Sequence, residues 1–283
     1  MKLMVRAHDL GVKGELNILH RLNELNLDGI QLVAYKSLED IRYVPNSMTV
    51  QRAEEIGSLI RSHQKEVGLV GAYFNPVHPN LEKIELGKQI FKEYIDSAKA
   101  LGACAVGSET GSYQGEPWID HPLNHMDEAL DRVVEVFGEL AHYAKEKGIL
   151  LGMEGACAHV CCTPERLKEA VERIGLDNVR IIFDLFNFLN VENVHDSIGV
   201  LQKGLELFND KILLFHLKDC ILEDGKIKQC SVGKGILDYD RIIEMIYHHN
   251  PDAVLVFEGT VGEDLISSIE YIRCRMQKVS GKH

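Results

Sequence analysis

The sequence predicts one (β/α)8 TIM barrel, a single domain over residues 1–283, and three observations carry that prediction. Eight short apolar runs recur along the chain, amphipathic segments separate them, and the repeat averages about 35 residues, the size of one strand–helix unit. The runs begin near Leu3 (LMVRAHD), Gly29 (GIQLVAY), Val67 (VGLVGAYFN), Ala103 (ACAVGSET), Gly148 (GILLGMEG), Val179 (VRIIFDLF), Ile212 (ILLFHLKD) and Ala253 (AVLVFEG). They are almost continuously apolar rather than alternating, as suits strands buried on both faces of a parallel sheet.

The segments between them read as helices. Lys83 to Leu101 places Ile84, Ile90, Phe91, Tyr94, Ile95 and Ala98 at helical spacing, and Met126 to Lys147 does the same with Leu130, Val133, Val134, Phe137, Leu140 and Tyr143. Thr163-Pro164 predicts an N-cap with proline at the first helical position. Gly102, Gly148 and Gly175 follow helical segments where a left-handed residue is favoured, and Asp264 to Gln277 supplies the last helix. An open doubly wound sheet is the competing fold. It announces itself with a glycine-rich phosphate loop after its first strand, and here that strand runs into His8-Asp9-Leu10-Gly11.

Apolar residues at 45% and charged residues at 26% give a globular chain ample core material. With 31 basic and 43 acidic residues the formal charge is −12, which repels phosphate backbones and argues against nucleic acid as a partner. No stretch approaches the ~20 apolar residues of a membrane span. The seven cysteines are odd in number and form no framework, so reduced thiols and a cytoplasmic location are expected.

In a parallel barrel, chemistry collects at the C-terminal ends of the strands. Four consecutive runs end in metal-capable side chains: Glu154, Asp184, His216 and Glu258, separated by 30, 32 and 42 residues, about one unit each. Closure of the barrel brings them to one rim. Three carboxylates converging there would repel one another unless a cation joined them. The set is oxygen-rich and hard. It predicts one divalent metal ion, Mn²⁺ foremost, with Mg²⁺, Co²⁺ or Zn²⁺ also compatible.

Further residues are candidates for substrate binding at the mouth: His159 in the loop after Glu154, Asn187 three beyond Asp184, and Lys218, which strand alternation puts on the side of His216. Glu109 and Asn75 are read as ending the fourth and third strands, and His8 the first. The segment Gly111 to Trp118, with the only tryptophan, is read as a lid or a packed loop. The Gly233-Lys234-Gly235 turn could offer backbone amides to an anion. A zinc knuckle at His159, Cys161 and Cys162 is rejected, because adjacent cysteines serve one tetrahedral site poorly.

The strings GMEGACAH, FDLFNFLNVEN, FHLKDC followed by VGKGILDYD, and LVFEGT resemble the xylose isomerase-like barrel superfamily, in particular its sugar phosphate isomerase/epimerase branch, over nearly the whole chain. The resemblance implies metal ligation by Glu154, Asp184, His216 and Glu258 and chemistry on a polyhydroxylated carbonyl compound, a sugar or sugar phosphate. It further implies proton transfer next to the carbonyl through a metal-stabilised enediolate, with Glu154 and Glu258 acting on opposite substrate faces. Asn187 departs from the histidine that some epimerases of the family carry there, which leaves sugar specificity open. Alternatives are dehydration of a cyclic polyol ketone, apurinic endonuclease activity, for which histidine ligands are too few, and a non-catalytic sugar-binding role. A homo-oligomer is left open.

Overall fold

The computed structural model describes residues 1–115 and 119–281. The chain runs β1 (Lys2–Arg6), α1 (Glu15–Glu24), β2 (Gly29–Leu32), a one-turn α2 (Ala34–Ser37), α3 (Val50–Ser62), β3 (Glu66–Gly71), α4 (Leu81–Leu101), β4 (Ala105–Glu109) and α5 (Asp127–Glu146). It continues through β5 (Leu150–Glu154), α6 (Pro164–Ile174), β6 (Val179–Asp184), α7 (Ser197–Phe208), β7 (Ile212–Leu217), β8 (Asp219–Glu223), β9 (Lys226–Cys230), α8 (Tyr239–His249), β10 (Val254–Phe257) and α9 (Gly262–Ser280). Eight strands close a parallel barrel in the order β1-β10-β7-β6-β5-β4-β3-β2. The predicted single-domain barrel is what the chain forms. No described helix is long and apolar enough to cross a membrane.

Two cores result. Inside the barrel, Met4, Leu69, Ala105, Ile182, Leu214 and Val256 make a small plug below the mouth. A Cβ at Gly107 would lie 2.6 Å from Ile182 Cδ1, and one at Gly152 3.0 Å from it, so the glycines of β4 and β5 make room for the isoleucine of β6. The larger core lies between the strands and the helical ring, where buried Tyr94, Phe91 and Phe137 anchor α4 and α5.

The helix signals hold. Thr163 accepts a hydrogen bond from the Arg166 amide at 3.2 Å, and Gly102 and Gly175 end α4 and α6 with φ of 81° and 68°. Three expectations need correction. Asn75 lies in the loop beyond Gly71, the last residue of β3, and His8 lies in a 3-10 turn (Ala7–Leu10) beyond β1. After β7 the chain adds an antiparallel hairpin, β8–β9, that the sequence reading passed over. The Gly233–Gly235 turn offers no amides to a foreign anion. Both glycine N–H groups donate to Asp219 Oδ2 at 3.0 Å, while Cys220 and Leu237 N–H donate to its Oδ1 at 2.8 and 3.1 Å.

Candidate metal centre

Strand ends and register assemble the site. Glu154 closes β5 and Asp184 closes β6. Asp184 pairs in register with His216 of β7, and His216 pairs with Val256 of β10, which puts Glu258 one step past that strand. The four side chains are buried, and one ligand atom from each lies within 4.8 Å of all the others. Among the described residues no other group meets that condition. The sequence-predicted tetrad is therefore a structural unit able to hold a divalent ion.

His216 is the centre of the cage. Its Nδ1 lies 2.7 Å from Glu258 Oε2, 3.1 Å from Glu154 Oε1 and 3.7 Å from Asp184 Oδ2. Its Nε2 is turned away and meets Gln31 Oε1 at 2.7 Å. Gln31 in turn donates from its Nε2 to the Tyr73 hydroxyl at 2.5 Å. An imidazole held this way commits Nε2–H to the amide and aims Nδ1 at the carboxylates, as a metal-ligating histidine requires.

Lys218 reaches the same space. Its ammonium lies 2.7 Å from Asp184 Oδ2 and 3.1 Å from Glu258 Oε1, and it donates to Asn187 Oδ1 at 3.2 Å. Asn187 donates from Nδ2 to Glu154 Oε1 at 2.9 Å and from its backbone N–H to Asp184 Oδ1 at 3.1 Å. Arg6 reaches the same carboxylate oxygen, donating to Glu258 Oε1 at 2.8 Å while it grips Asp9 at 2.9 Å. Asp184 Oδ2 and Glu258 Oε2 are buried without a hydrogen-bond partner, although Lys218 Nζ and His216 Nδ1 stand 2.7 Å from them. A hard divalent cation fits that donor set.

The electrostatics separate the carboxyls. Burial raises Glu154 above the usual range, with His216 opposing. Burial also pushes Glu258 up, but Lys218, His216 and Arg6 outweigh it and hold the carboxyl well below its ordinary value. Glu109, at the end of β4 beside this cluster, is pushed up to about 8 by burial and then by Glu154 and Glu258. Burial opposes the charge on His216 and Lys218, yet the surrounding carboxylates raise both.

A cavity of about 600 Å³ opens from Glu258 and Glu109 toward Tyr73, Phe74 and Asn75. Asn75 lines it with its amide already engaged, donating to Ser112 O at 2.6 Å and accepting from Val77 N–H at 3.2 Å. His159, in the loop after β5, is 4% exposed, and burial followed by the Lys218 charge lowers it to about 4. His8 is lowered to about 4 by burial and then Arg6. Of the segment read as a lid or a packed loop, Glu116 to Trp118 lie outside the described residues. Gly111 and Ser112 are packed, the serine hydroxyl donating to Ile119 O at 2.5 Å.

Arg6, Gln31 and Tyr73 escaped the sequence reading. Gln31 left a signal: it is the one polar residue inside GIQLVAY, and it is fully buried. A lone amide in a strand buried on both faces needs partners there.

The family described as Xylose isomerase-like TIM barrel matches residues 19–273. An uncharacterized protein of Methanocaldococcus jannaschii is 22% identical over 271 residues, which is 93% of this chain and 85% of that protein. Inosose dehydratase of Glaesserella parasuis serovar 5 is 24% identical over 204 residues, 65% of this chain and 66% of the relative. Among solved structures, a D-tagatose 3-epimerase-like protein aligns with a TM-score of 0.74 at 20% identity, covering 100% of this chain and 99% of that one. The 3-keto-D-glucoside 4-epimerase from E. coli aligns at 0.72 with 15% identity, covering 97% and 99%. At these identities the structural likeness is one of fold. The family match spans the barrel from α1 into α9 and includes all four cage residues, and the chain belongs to the xylose isomerase-like TIM barrel family.

Proposed function

We propose that the protein is a divalent-metal-dependent isomerase or epimerase of a sugar or sugar phosphate, acting by proton transfer at the carbon next to a carbonyl. The observation that carries this reading is the convergence of Glu154, Asp184, His216 and Glu258 within 4.8 Å, with Glu258 also lining a cavity of about 600 Å³. A cation held by these four side chains supplies Lewis-acid polarisation of the carbonyl; Mn²⁺ is the first choice, with Mg²⁺, Co²⁺ and Zn²⁺ as alternatives. Glu154 and Glu258 flank His216 Nδ1. One removes the proton from the substrate carbon and the other delivers a proton to the far face, which inverts that carbon. Return of the proton to the neighbouring carbon gives the 1,2-isomer instead. Lys218 and Asn187 present an ammonium and an amide to the substrate oxygens, and Glu109, Asn75, His159 and His8 complete the surroundings.

The fold shared with D-tagatose 3-epimerase-like and 3-keto-D-glucoside 4-epimerase structures is consistent with this reading. The match to an inosose dehydratase supports a second one, dehydration of a cyclic polyol ketone, which begins with the same proton removal. Incubating the Mn²⁺-loaded protein in D₂O with a panel of ketoses and inososes separates them. Deuterium at one carbon without change of formula identifies the isomerase or epimerase, and a product lighter by one water identifies the dehydratase. Failure of every substrate to exchange or dehydrate rejects both.

A further inference from the structure

β1 ends in an arginine that the proposed reaction leaves without a role. Arg6 lines the cavity together with Glu258 and Tyr73, and its side chain is 19% exposed. A guanidinium carries five N–H groups and accepts nothing. Among the described residues three of the five are engaged: Nε donates to Asp9 Oδ2 at 2.9 Å, Nη2 to Asp9 Oδ1 at 3.2 Å and Nη1 to Glu258 Oε1 at 2.8 Å. One N–H on each Nη is left. Donors in so enclosed a place normally find an acceptor, and the wall on which Arg6 stands opens to the cavity.

The guanidinium is held from several sides. Asp9, 5% exposed in the 3-10 turn after β1, takes two of its N–H groups as a fork. Oδ2 of the same carboxylate accepts the Gly259 N–H at 2.8 Å. Gly259 has a φ of 70°, and a Cβ there would lie 2.2 Å from Gln229 Nε2. That amide donates to Glu258 O at 3.0 Å. Asp9 therefore ties Arg6 to the stretch of backbone that carries Glu258. The glutamate meets Arg6 with Oε1, while its Oε2 lies 2.7 Å from His216 Nδ1 in the cage. A substrate atom that takes the spare N–H groups thus stands beside a carboxylate that exchanges protons. Donors fixed beside a reacting centre act most strongly where charge develops.

We propose, resting on the isomerase or epimerase reading above, that Arg6 is a catalytic residue whose spare N–H groups donate to the substrate's carbonyl oxygen and hold the negative charge that grows there. When a glutamate takes the proton from the neighbouring carbon, the C–H electron pair becomes the new C=C bond and the carbonyl π pair moves onto oxygen. The proton rests on the glutamate and the charge on the oxygen. A guanidinium stays charged throughout, so it stabilises the enediolate without giving up a proton of its own. Asp9 is the positioning residue that keeps the guanidinium aimed.

The probe is glycolohydroxamate, a two-carbon mimic of an enediolate with no stereocentre to match. It is titrated calorimetrically into the Mn²⁺-loaded parent protein and into Arg6→Lys, and the Mn²⁺ affinity of each is measured beside it. The lysine keeps the charge and loses the fork. Hydroxamate affinity is expected to fall about tenfold or more beyond any change in Mn²⁺ affinity, because a charge-assisted donor to the ligand is gone. A smaller excess, down to none, makes Arg6 a support of Glu258 and overturns the inference, and so does a parent protein that does not bind the hydroxamate. Where the variant does not fold, a crystal structure of the parent with Mn²⁺ and the hydroxamate decides: a ligand oxygen within about 3.2 Å of an Arg6 Nη upholds the contact, and none that close overturns it. Deuterium exchange into ketoses, read on the same proteins, keeps the two readings apart. Exchange in the parent with no Arg6 effect on the hydroxamate removes only the inference, whereas an Arg6-dependent hydroxamate without exchange into any ketose removes only the proposed reaction.

Discussion

At the scale of single residues, the tetrad was legible because each member follows three to five apolar residues and the intervals match one strand–helix unit. What holds those ligands in place was not legible. Gln31 contacts His216 across 185 residues, a pairing fixed only when β2 and β7 face each other through the closed barrel. Replacing Gln31 with Leu removes the acceptor of His216 Nε2–H while roughly keeping the volume. Metal affinity measured by titration calorimetry should fall about 10- to 100-fold, the usual effect of losing such a supporting contact. A loss below twofold would show that Gln31 does not orient the ring. Glu154 has a sharper expectation. Glu154→Gln keeps the size of a side chain that is 1% exposed and removes its ability to take a proton. Solvent deuterium exchange should drop by about 10²–10⁴-fold with the far-ultraviolet dichroism unchanged. Near-wild-type exchange would remove Glu154 from the chemistry.

At the scale of elements, capping and periodicity were readable because they are local: Thr163 caps α6, and Gly102 and Gly175 take the left-handed conformations their positions demand. The hairpin β8–β9 was overlooked although it left a local mark. Asp224-Gly225, both at positive φ (51° and 69°), form its turn between Glu223 and Lys226. What the sequence could not reveal is the far end of that hairpin, where the carboxylate of Asp219 gathers the amide of Cys220 and three amides of the returning chain. Asp219 is 1% exposed and sits one residue after Lys218. Asp219→Ala would leave those N–H groups without their acceptor and should cost about 2–4 kcal/mol in urea unfolding. Amide exchange at Gly233, Gly235 and Leu237 should accelerate in the same variant. Unchanged protection at those three amides would mean that the loop is held by its flanking strands instead.

At the scale of the whole molecule, eight apolar runs sufficed for the barrel because a parallel sheet buried on both faces writes a continuous signal. Burial of the loops at the mouth writes none, so the sequence marks His159 as a substrate-binding candidate in the loop after Glu154 but does not reveal that it is buried. It is 4% exposed, and burial, aided by the charge of Lys218, lowers it to about 4 from an ordinary value of 6.5. The consequence is global. A histidine kept neutral in the fold is protonated first in the unfolded chain, so between pH 6.5 and about 4 the unfolded state binds the extra proton and stability falls as the pH is lowered. Below about 4 both states carry it, and the loss levels off at its full size. The span corresponds to roughly 3 kcal/mol for a fully buried group. His159→Gln removes the titration, so urea unfolding free energies of the variant should decline less steeply from pH 6.5 to 4.5 than those of the parent protein. Parallel slopes for the two would mean that His159 accepts its proton in the folded barrel as readily as in the unfolded chain.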